Sequence, residues 1–201
     1  PSFRRGLRDG LVLLVAVGAF GVAYGVLGVQ AGLAPWLVVA ASALVVSGAA
    51  QFAWVSLAAS GAGPVLVAAA GLALRHIPMS ARVAALVGPR PLRVRLALAW
   101  VLVDETFGLT VAAARRGEAD LVAYKAAVDV LLFSGWVAGT AVGVALGSRF
   151  DPTAWGAEVF FAVVFVGLAA PLVRGKWDLA VAALAVGATF AATVLPEAWR
   201  I

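Results

Sequence analysis

The sequence predicts an all-α, polytopic membrane protein with about seven transmembrane helices, and three observations lead to that fold class. Hydrophobic residues occupy 64% of the 201 positions, charged residues occupy only 12%, and the mean hydropathy is +1.04. Soluble domains average about half apolar and about a quarter charged residues, so this composition excludes a water-soluble globule. The apolar residues also fall into runs long enough to cross a bilayer, separated by turn residues or charges.

Seven runs reach the length of about 20 mainly apolar residues that a spanning helix needs. The candidate spans are 10–30, 35–60, 64–87, 96–114, 121–147, 154–173 and 178–195. We expect them to form one transmembrane domain over residues 1–201, embedded in the lipid bilayer. Eight basic residues lie on the N-terminal side of this arrangement and five on the other side, which predicts a cytoplasmic N-terminus.

Composition and missing motifs narrow the class of function. The chain has no cysteine and one histidine, so we expect no disulfide, no thiolate nucleophile and no cluster of these residues around a metal. It also lacks the short signatures of nucleotide-binding loops, zinc proteases and serine hydrolases. We therefore expect no enzymatic activity and no cofactor. The net charge of +5 lies mostly between apolar runs, which is typical of orientation signals and not of nucleic-acid binding.

Short internal matches indicate a 3+3 inverted repeat. Phe20-Gly21 recurs as Phe107-Gly108, and Ser47-Gly48 recurs as Ser134-Gly135, both after 87 residues. An offset of three spans reverses the second copy in the membrane, as in many secondary transporters built with discontinuous helices. The copies would be residues 1–88 and 92–174, with 178–195 as an extra helix. Matches of this kind also arise by coincidence in a chain rich in glycine and alanine.

Two stripes of glycine predict close helix packing. Small residues on one face let helix backbones approach each other, which is how helices associate in lipid. We expect these faces to be packing seams that also accept a second, small subunit. The stripes are Gly18, Gly21, Gly25 and Gly28 in the first span and Gly135, Gly139, Gly143 and Gly147 in the fifth.

Two spans contain signs of a helix break. Pro78 in the third span lacks an N–H and clashes with the carbonyl of Leu74, so the helix must kink or break there. Arg75 and His76 lie at this position, and non-helical backbone at such depth requires protein or a water-filled cavity around it. The second span has a milder version, where Gln51 follows several small residues. We interpret Gln51 as a hydrogen-bonding group that faces a cavity.

Two adjacent carboxylates, Asp104 and Glu105, lie in the middle of the fourth span. Ionisable residues at this depth are costly and usually functional, although an ion pair that only holds the bundle together is the alternative. Arg75 and His76 are their candidate partners. A low dielectric disfavours the charged forms of acids and histidine, so we expect His76 and one of the two acids to respond to protons. Lys125 and Asp129 are interpreted as a local ion pair with a snorkelling lysine.

Four motifs occur in order along the chain: S-G-A-A-Q-F at 47–52, L-R-H at 74–76, D-E-T-F at 104–107, and W-V-A-G-T-A-V-G at 136–143. Together with Phe3 and the segment from Gly6 to Gly10, they resemble the AzlC family, the large subunits of branched-chain amino acid exporters. The chain departs from the family pattern at Ala73, close to a position where members usually have asparagine. The resemblance covers nearly the whole chain.

The resemblance implies a secondary transporter subunit in the inner (cytoplasmic) membrane of a bacterial cell. It would export leucine, isoleucine or valine with the proton gradient and would work with a small membrane subunit of the AzlD type. Arg75, or N–H groups freed at a helix break, would then bind the substrate carboxylate, and Asp104 or Glu105 would bind its ammonium group. Gln51 would hydrogen-bond the substrate or the broken third span, and Phe52 and Phe107 would line an apolar pocket. A passive pore for a small polar solute and a non-transporting membrane scaffold are the alternatives.

Overall fold

A computed structural model describes residues 1–149 and, with gaps, 175–177, 179–181, 183–184 and 186–187. Contacts divide the chain into a unit of Pro1–Pro152 and a unit of Thr153–Ile201. Within the described residues the secondary structure is helical, without a strand, which confirms the all-α prediction. The helices of the first unit are α1 Ser2–Gln30, α2 Pro35–Leu44, α3 Gly48–Leu57, α4 Ala62–Ala73, α5 His76–Val87, α6 Leu92–Trp100, α7 Asp104–Arg115 and α8 Leu121–Leu146.

Three helical stretches in this part of the chain are long and apolar enough to cross a membrane: Ser2–Gln30, Ala62–Val87 and Leu121–Leu146. The seven spans of the sequence prediction are therefore not confirmed. The candidates 35–60 and 96–114 are each divided into two shorter helices, and 64–87 bends at residues 74–75 between α4 and α5. The candidate 154–173 lies outside the described residues, and 178–195 lies only partly within them. The single domain over 1–201 stays a prediction.

The inverted repeat also stays a prediction. The broken span 35–60 would correspond to 121–147, yet α8 runs through that region without interruption. Ser47 precedes a helix start, whereas its proposed counterpart Ser134 lies inside α8 and bonds the carbonyl oxygen of Val130 in its own helix. The matching dipeptides therefore occupy different local structures.

The scaffold is the pair α1 and α8, which run parallel and make the most extensive helix contact of the described residues. Gly6 lies against Tyr124 near the start of both helices, and Gly143 lies against Val22 near their ends. A Cβ atom at Gly143 would overlap the carbonyl oxygen of Val22. The two predicted glycine stripes are confirmed as packing surfaces, but they pack on each other within one chain. This glycine seam is thus filled by α1 and α8 themselves, and the small subunit stays a prediction.

Polar contacts fix the start of α1 to the connection between α7 and α8. Arg5 forms an ion pair with Glu118 at 3.0 Å, and the hydroxyl of Ser2 donates to the same carboxylate at 2.6 Å. Asp9 accepts from Arg116 at 2.8 Å and from the hydroxyl of Tyr124 at 2.7 Å, as the loop returns towards α8. These contacts set the register in which the glycine seam closes.

Helices α4 and α5 lie at the edge of the unit. No residue of α4 is buried, and the side chain of Val67 is 73% exposed. Leu66 and Ile77 are similarly exposed. Exposed apolar side chains on a helix of membrane-spanning length are typical of a surface that faces lipid, because lipid gives them an apolar environment.

Candidate functional site

Three breaks in the helices position the candidate site residues. The first separates α2 from α3 at residues 45–47, the second separates α4 from α5 at 74–75, and the third separates α6 from α7 at 101–103. The second break lies where Pro78 requires it, because the proline ring displaces the carbonyl of Leu74 from its helical bond. Each break leaves backbone groups without helical partners, and in lipid such groups need protein or water nearby.

The first break is closed by Gln51. Its amide nitrogen donates to the carbonyl oxygens of Ala41, at 3.0 Å, and of Val45, both near the end of α2. Its amide oxygen accepts from the indole nitrogen of Trp136 on α8 at 3.0 Å. Gln51 is 1% exposed. Its partners are therefore the second span and α8, and not the third span that sequence reasoning offered as an alternative to the substrate.

Aromatic rings surround this closed break. Tyr24 on α1 stacks on Trp136 with ring centroids 6.1 Å apart, and Phe52 meets both rings edge to face at 5.9 and 6.3 Å. Beside them the hydroxyl of Ser42 on α2 donates to the hydroxyl of Thr140 on α8 at 2.7 Å. Phe52, predicted to contact substrate, lies in a packed cluster that joins α1, α3 and α8, and its contact with substrate stays a prediction.

The second and third breaks are joined by an ion pair. Arg75 follows α4, and its Nη1 lies 2.8 Å from Oδ2 of Asp104, the first residue of α7. The two side chains are 38% and 57% exposed, so a small molecule can reach them. The Nε atom of Arg75 is buried without a hydrogen-bond partner among the described residues. This ion pair matches the predicted contact between Arg75 and one of the two adjacent acids.

The two acids do not lie in mid-helix, as the sequence prediction had them, but in the first turn of α7. Carboxylates are stabilised there by the uncapped N–H groups and by the helix dipole, without needing a cation each. Of these two acids, Asp104 forms an ion pair and Glu105 forms none with the described residues. His76 bonds the carbonyl oxygen of Ala73 at 3.1 Å and makes no ion pair with either acid in this part of the chain.

Phe107 lies one turn further along α7 and packs against an apolar cluster of α5 and α6 that contains Met79, Val83 and Leu102. A cavity of about 170 Å³ opens between these two helices, and Val83 and Leu102 are among its lining residues. The predicted pair of pocket phenylalanines is thus divided. Phe52 belongs to the closed first break, and Phe107 belongs to the cluster beside Arg75 and Asp104.

Sequence reasoning underestimated Lys125 and Asp129. Their ion pair is confirmed, but the snorkelling lysine is wrong, since the Lys125 side chain is 0% exposed and that of Asp129 is 7% exposed. Thr106 was missed entirely. Its hydroxyl accepts from the N–H of Val103 at 3.1 Å and lies within hydrogen-bonding distance of the carbonyl of Val101, so it holds the third break. Thr106, three residues after Val103, bonds back to the Val103 N–H as the third side chain of a capping box does, but it lacks the usual Glu or Gln and lies in an apolar run.

The described residues contain no group of three or more His, Asp or Glu side chains that could hold a metal ion. The AzlC protein family matches residues 12–150, which is more than half of the chain. An uncharacterized membrane protein of Archaeoglobus fulgidus is 30% identical over 179 residues, covering 87% of this chain and 77% of that protein. No solved structure matches the chain. The chain is a multi-pass membrane protein, and it belongs to the AzlC family.

Proposed function

We propose that the chain is the large subunit of a secondary transporter, with leucine, isoleucine or valine as its substrate and the proton gradient as its energy source. Export across the cytoplasmic membrane, together with a small AzlD-type subunit, follows from the resemblance to the AzlC family. Helix breaks support the proposal, because secondary transporters bind substrates and coupling ions where membrane helices are interrupted.

The ion pair of Arg75 and Asp104 carries the proposal. An amino acid is a zwitterion, so it needs a cation for its carboxylate and an anion for its ammonium group. Arg75 and Asp104 supply these opposite charges on two separate broken spans, with Nη1 and Oδ2 2.8 Å apart. A zwitterion entering between them replaces one ion pair with two, and the unpartnered Nε of Arg75 offers a further donor to the carboxylate.

The apolar side of the substrate has a matching environment. The cavity of about 170 Å³ between α5 and α6 is lined mostly by aliphatic side chains, including Val83 and Leu98. Leu102 lines it too and lies two residues before Asp104. A branched aliphatic side chain favours such a site because its transfer from water is favourable, whereas a polar side chain would lose its hydrogen bonds.

The test is leucine flux in proteoliposomes that contain the purified chain with and without the small subunit. We expect exchange of radiolabelled leucine, and accumulation against its gradient when a pH gradient is imposed. A passive pore would let leucine equilibrate and never accumulate. A scaffold would give no flux above that of empty liposomes.

Variants connect this flux to the proposed site. Arg75→Gln and Asp104→Asn should each lower leucine exchange at least ~10-fold, because each leaves one end of the zwitterion without its charge. Arg82→Gln is the matched control: Arg82 lies on α5 two turns beyond Arg75 and is exposed. Equal exchange by all three variants would move the substrate site away from the ion pair.

A further inference from the structure

A second ion pair lies inside a membrane-spanning helix. Lys125 and Asp129 are one turn apart on α8, and Nζ of Lys125 lies 2.7 Å from both carboxylate oxygens of Asp129. Both side chains are buried, with exposed fractions of 0% and 7%. Removing two charges from water is expensive even when they are paired, and ionisable groups at this depth usually serve ion or proton pathways. The substrate site proposed above does not use them.

The pair is connected to the third helix break. The Thr106 side chain of α7 lies close to the Asp129 carboxylate, and its hydroxyl holds the N–H of Val103 in the break. Thr106 is two residues beyond Asp104, which forms the other ion pair. A change in the charge of Asp129 therefore acts on the start of the half-helix that carries Asp104.

No third charge shares this pair among the described residues. Helices α1, α2, α5, α6 and α7 pack against α8. On α1, Asp9 is bound to Arg116 and Tyr124, and on α7, Asp104 is bound to Arg75. Helix α2 carries no charged side chain, and none of the remaining ionisable groups of the packed helices forms an ion pair with either residue: Arg4, Arg5, Arg8, His76, Arg82, Arg93, Arg95, Glu105 and Arg115.

We propose that Asp129 is the group that takes up and releases the coupling proton, with Lys125 as its counter-ion and Thr106 as its link to the substrate site. This inference rests on the proposed function and names its proton site. The proton adds to a carboxylate oxygen of Asp129, and the Lys125 ammonium then loses its anion. The ion pair opens beside Thr106, and the Thr106 hydroxyl that holds Val103 is then free to rearrange at the start of α7.

The first test needs no substrate. Infrared spectra of the protein in lipid, recorded across a pH titration, should contain a carboxylic-acid band that is absent in Asp129→Asn. Asp104→Asn and Glu105→Gln are the matched carboxylate controls and should retain that band. Persistence of the whole band in Asp129→Asn would overturn the inference. Its loss in one of the two controls, with Asp129→Asn unchanged, would assign the proton to that acid.

Asp129→Asn leaves Lys125 buried without an anion, so the variant risks misfolding. The double variant Lys125→Met, Asp129→Leu avoids this, because apolar side chains of similar volume commonly replace a buried ion pair without loss of stability. We expect it to exchange leucine at the wild-type rate but to lose pH-driven accumulation at least ~10-fold, which corresponds to at least ~1.4 kcal/mol of lost coupling. Accumulation equal to wild type would make the pair structural and overturn the inference.

The two proposals fail in distinguishable ways. If the wild-type protein moves no leucine while the infrared band still depends on Asp129, the proposed substrate is wrong and the proton site stands. If leucine accumulates in the double variant as in wild type, the transporter function stands and the coupling proton binds elsewhere.

Discussion

The two halves of the first unit differ in the exposure of the polar groups at their helix breaks. In the half formed by α1, α2, α3 and α8, the helix break is filled by Gln51, which is 1% exposed and bonded on both its nitrogen and oxygen atoms. In the half formed by α4, α5, α6 and α7, the breaks carry Arg75 and Asp104, whose side chains are 38% and 57% exposed. We name them the sealed half and the charged half.

This difference indicates which helix breaks have a structural role and which can bind a ligand. At the first break one buried amide bonds the backbone carbonyls, so Gln51 holds helices together. The hydroxyls of Ser47 and Tyr24 beside it are buried without a hydrogen-bond partner among the described residues, and they are not open to a ligand from outside. A break with an accessible cation and anion has bonding capacity that a zwitterion can use. A break in a membrane helix is therefore not by itself a binding site; the accessibility of its polar groups decides its role.

The largest expected effect comes from a substitution at the glycine seam, in the sealed half. Gly143→Leu places side-chain atoms where the carbonyl oxygen of Val22 lies, and neither backbone can retreat without separating α1 from α8. We expect a loss of more than about 3 kcal/mol of stability and little folded protein. Fluorescence-detected size-exclusion chromatography of a tagged chain measures this. Gly71→Leu is the control, because a Cβ at Gly71 meets nothing within 4 Å; normal elution of Gly143→Leu would contradict the seam as scaffold.

The next effect tests whether the first break is sealed or functional. Gln51→Ala leaves the carbonyls near the end of α2 and the indole N–H of Trp136 without their partner. Each buried polar group left unpaired costs about 1–3 kcal/mol, so we expect the free energy of unfolding to fall by about 2–4 kcal/mol. The apparent affinity for leucine of the protein that remains folded should be unchanged. A weaker affinity at unchanged stability would return Gln51 to the substrate site.

In the charged half we expect the opposite result, a small change in stability and a large change in leucine binding. Asp104→Asn removes an anion from an exposed pair, so we expect a stability change below about 1 kcal/mol. Leucine binding, measured by scintillation proximity on the purified protein, should weaken at least ~10-fold because the ammonium group loses its partner. Glu105→Gln removes the neighbouring carboxylate, which forms no ion pair in the described structure, and should bind leucine more tightly than Asp104→Asn. Equal losses in the two variants would mean that the pair with Arg75 has no special role.

The smallest expected effect comes from the ion pair at the start of α1. The Arg5 side chain is 58% exposed in its ion pair with Glu118, so solvent screens the cationic side of the pair, whereas the Glu118 side chain is only 5% exposed. Arg5→Gln leaves Glu118 with the hydroxyl of Ser2 and an amide donor as partners, so we expect the free energy of unfolding to fall by only about 1 kcal/mol and leucine exchange to stay unchanged. A loss as large as that of Gln51→Ala would show that the end contacts, and not the seam, hold α1 in place.

The sequence predicted those features that depend on local chemistry. Pro78 requires a break near Leu74, and the glycine stripes require close packing. It did not predict the third break, because Val101 and Val103 are apolar and carry no proline or glycine signal. The first-turn acids and Thr106 were available as signals of a helix start, but a continuous apolar run favoured a single span.

The site was harder to predict, because burial is a property of the assembled helices. A lysine at the fifth position of a spanning helix normally extends to the membrane surface, and nothing in the local sequence distinguishes Lys125 from such a residue. Likewise the local sequence around Phe52 and around Phe107 does not show which helices each ring contacts, and only the packing around Trp136 and around the α5–α6 cluster assigns them to different halves.

The parallel pairing of α1 and α8 has a consequence for how the protein is made. Nearly half of the chain lies between the end of α1 and the start of α8, so the first helix leaves the ribosome long before its partner exists. Until α8 is made, the glycine face of α1 must contact lipid or a chaperone, while the interrupted helices insert into the bilayer around it. Closure of the scaffold is therefore a late step of high contact order, and a nascent chain that stops before Leu121 has nothing on which to close.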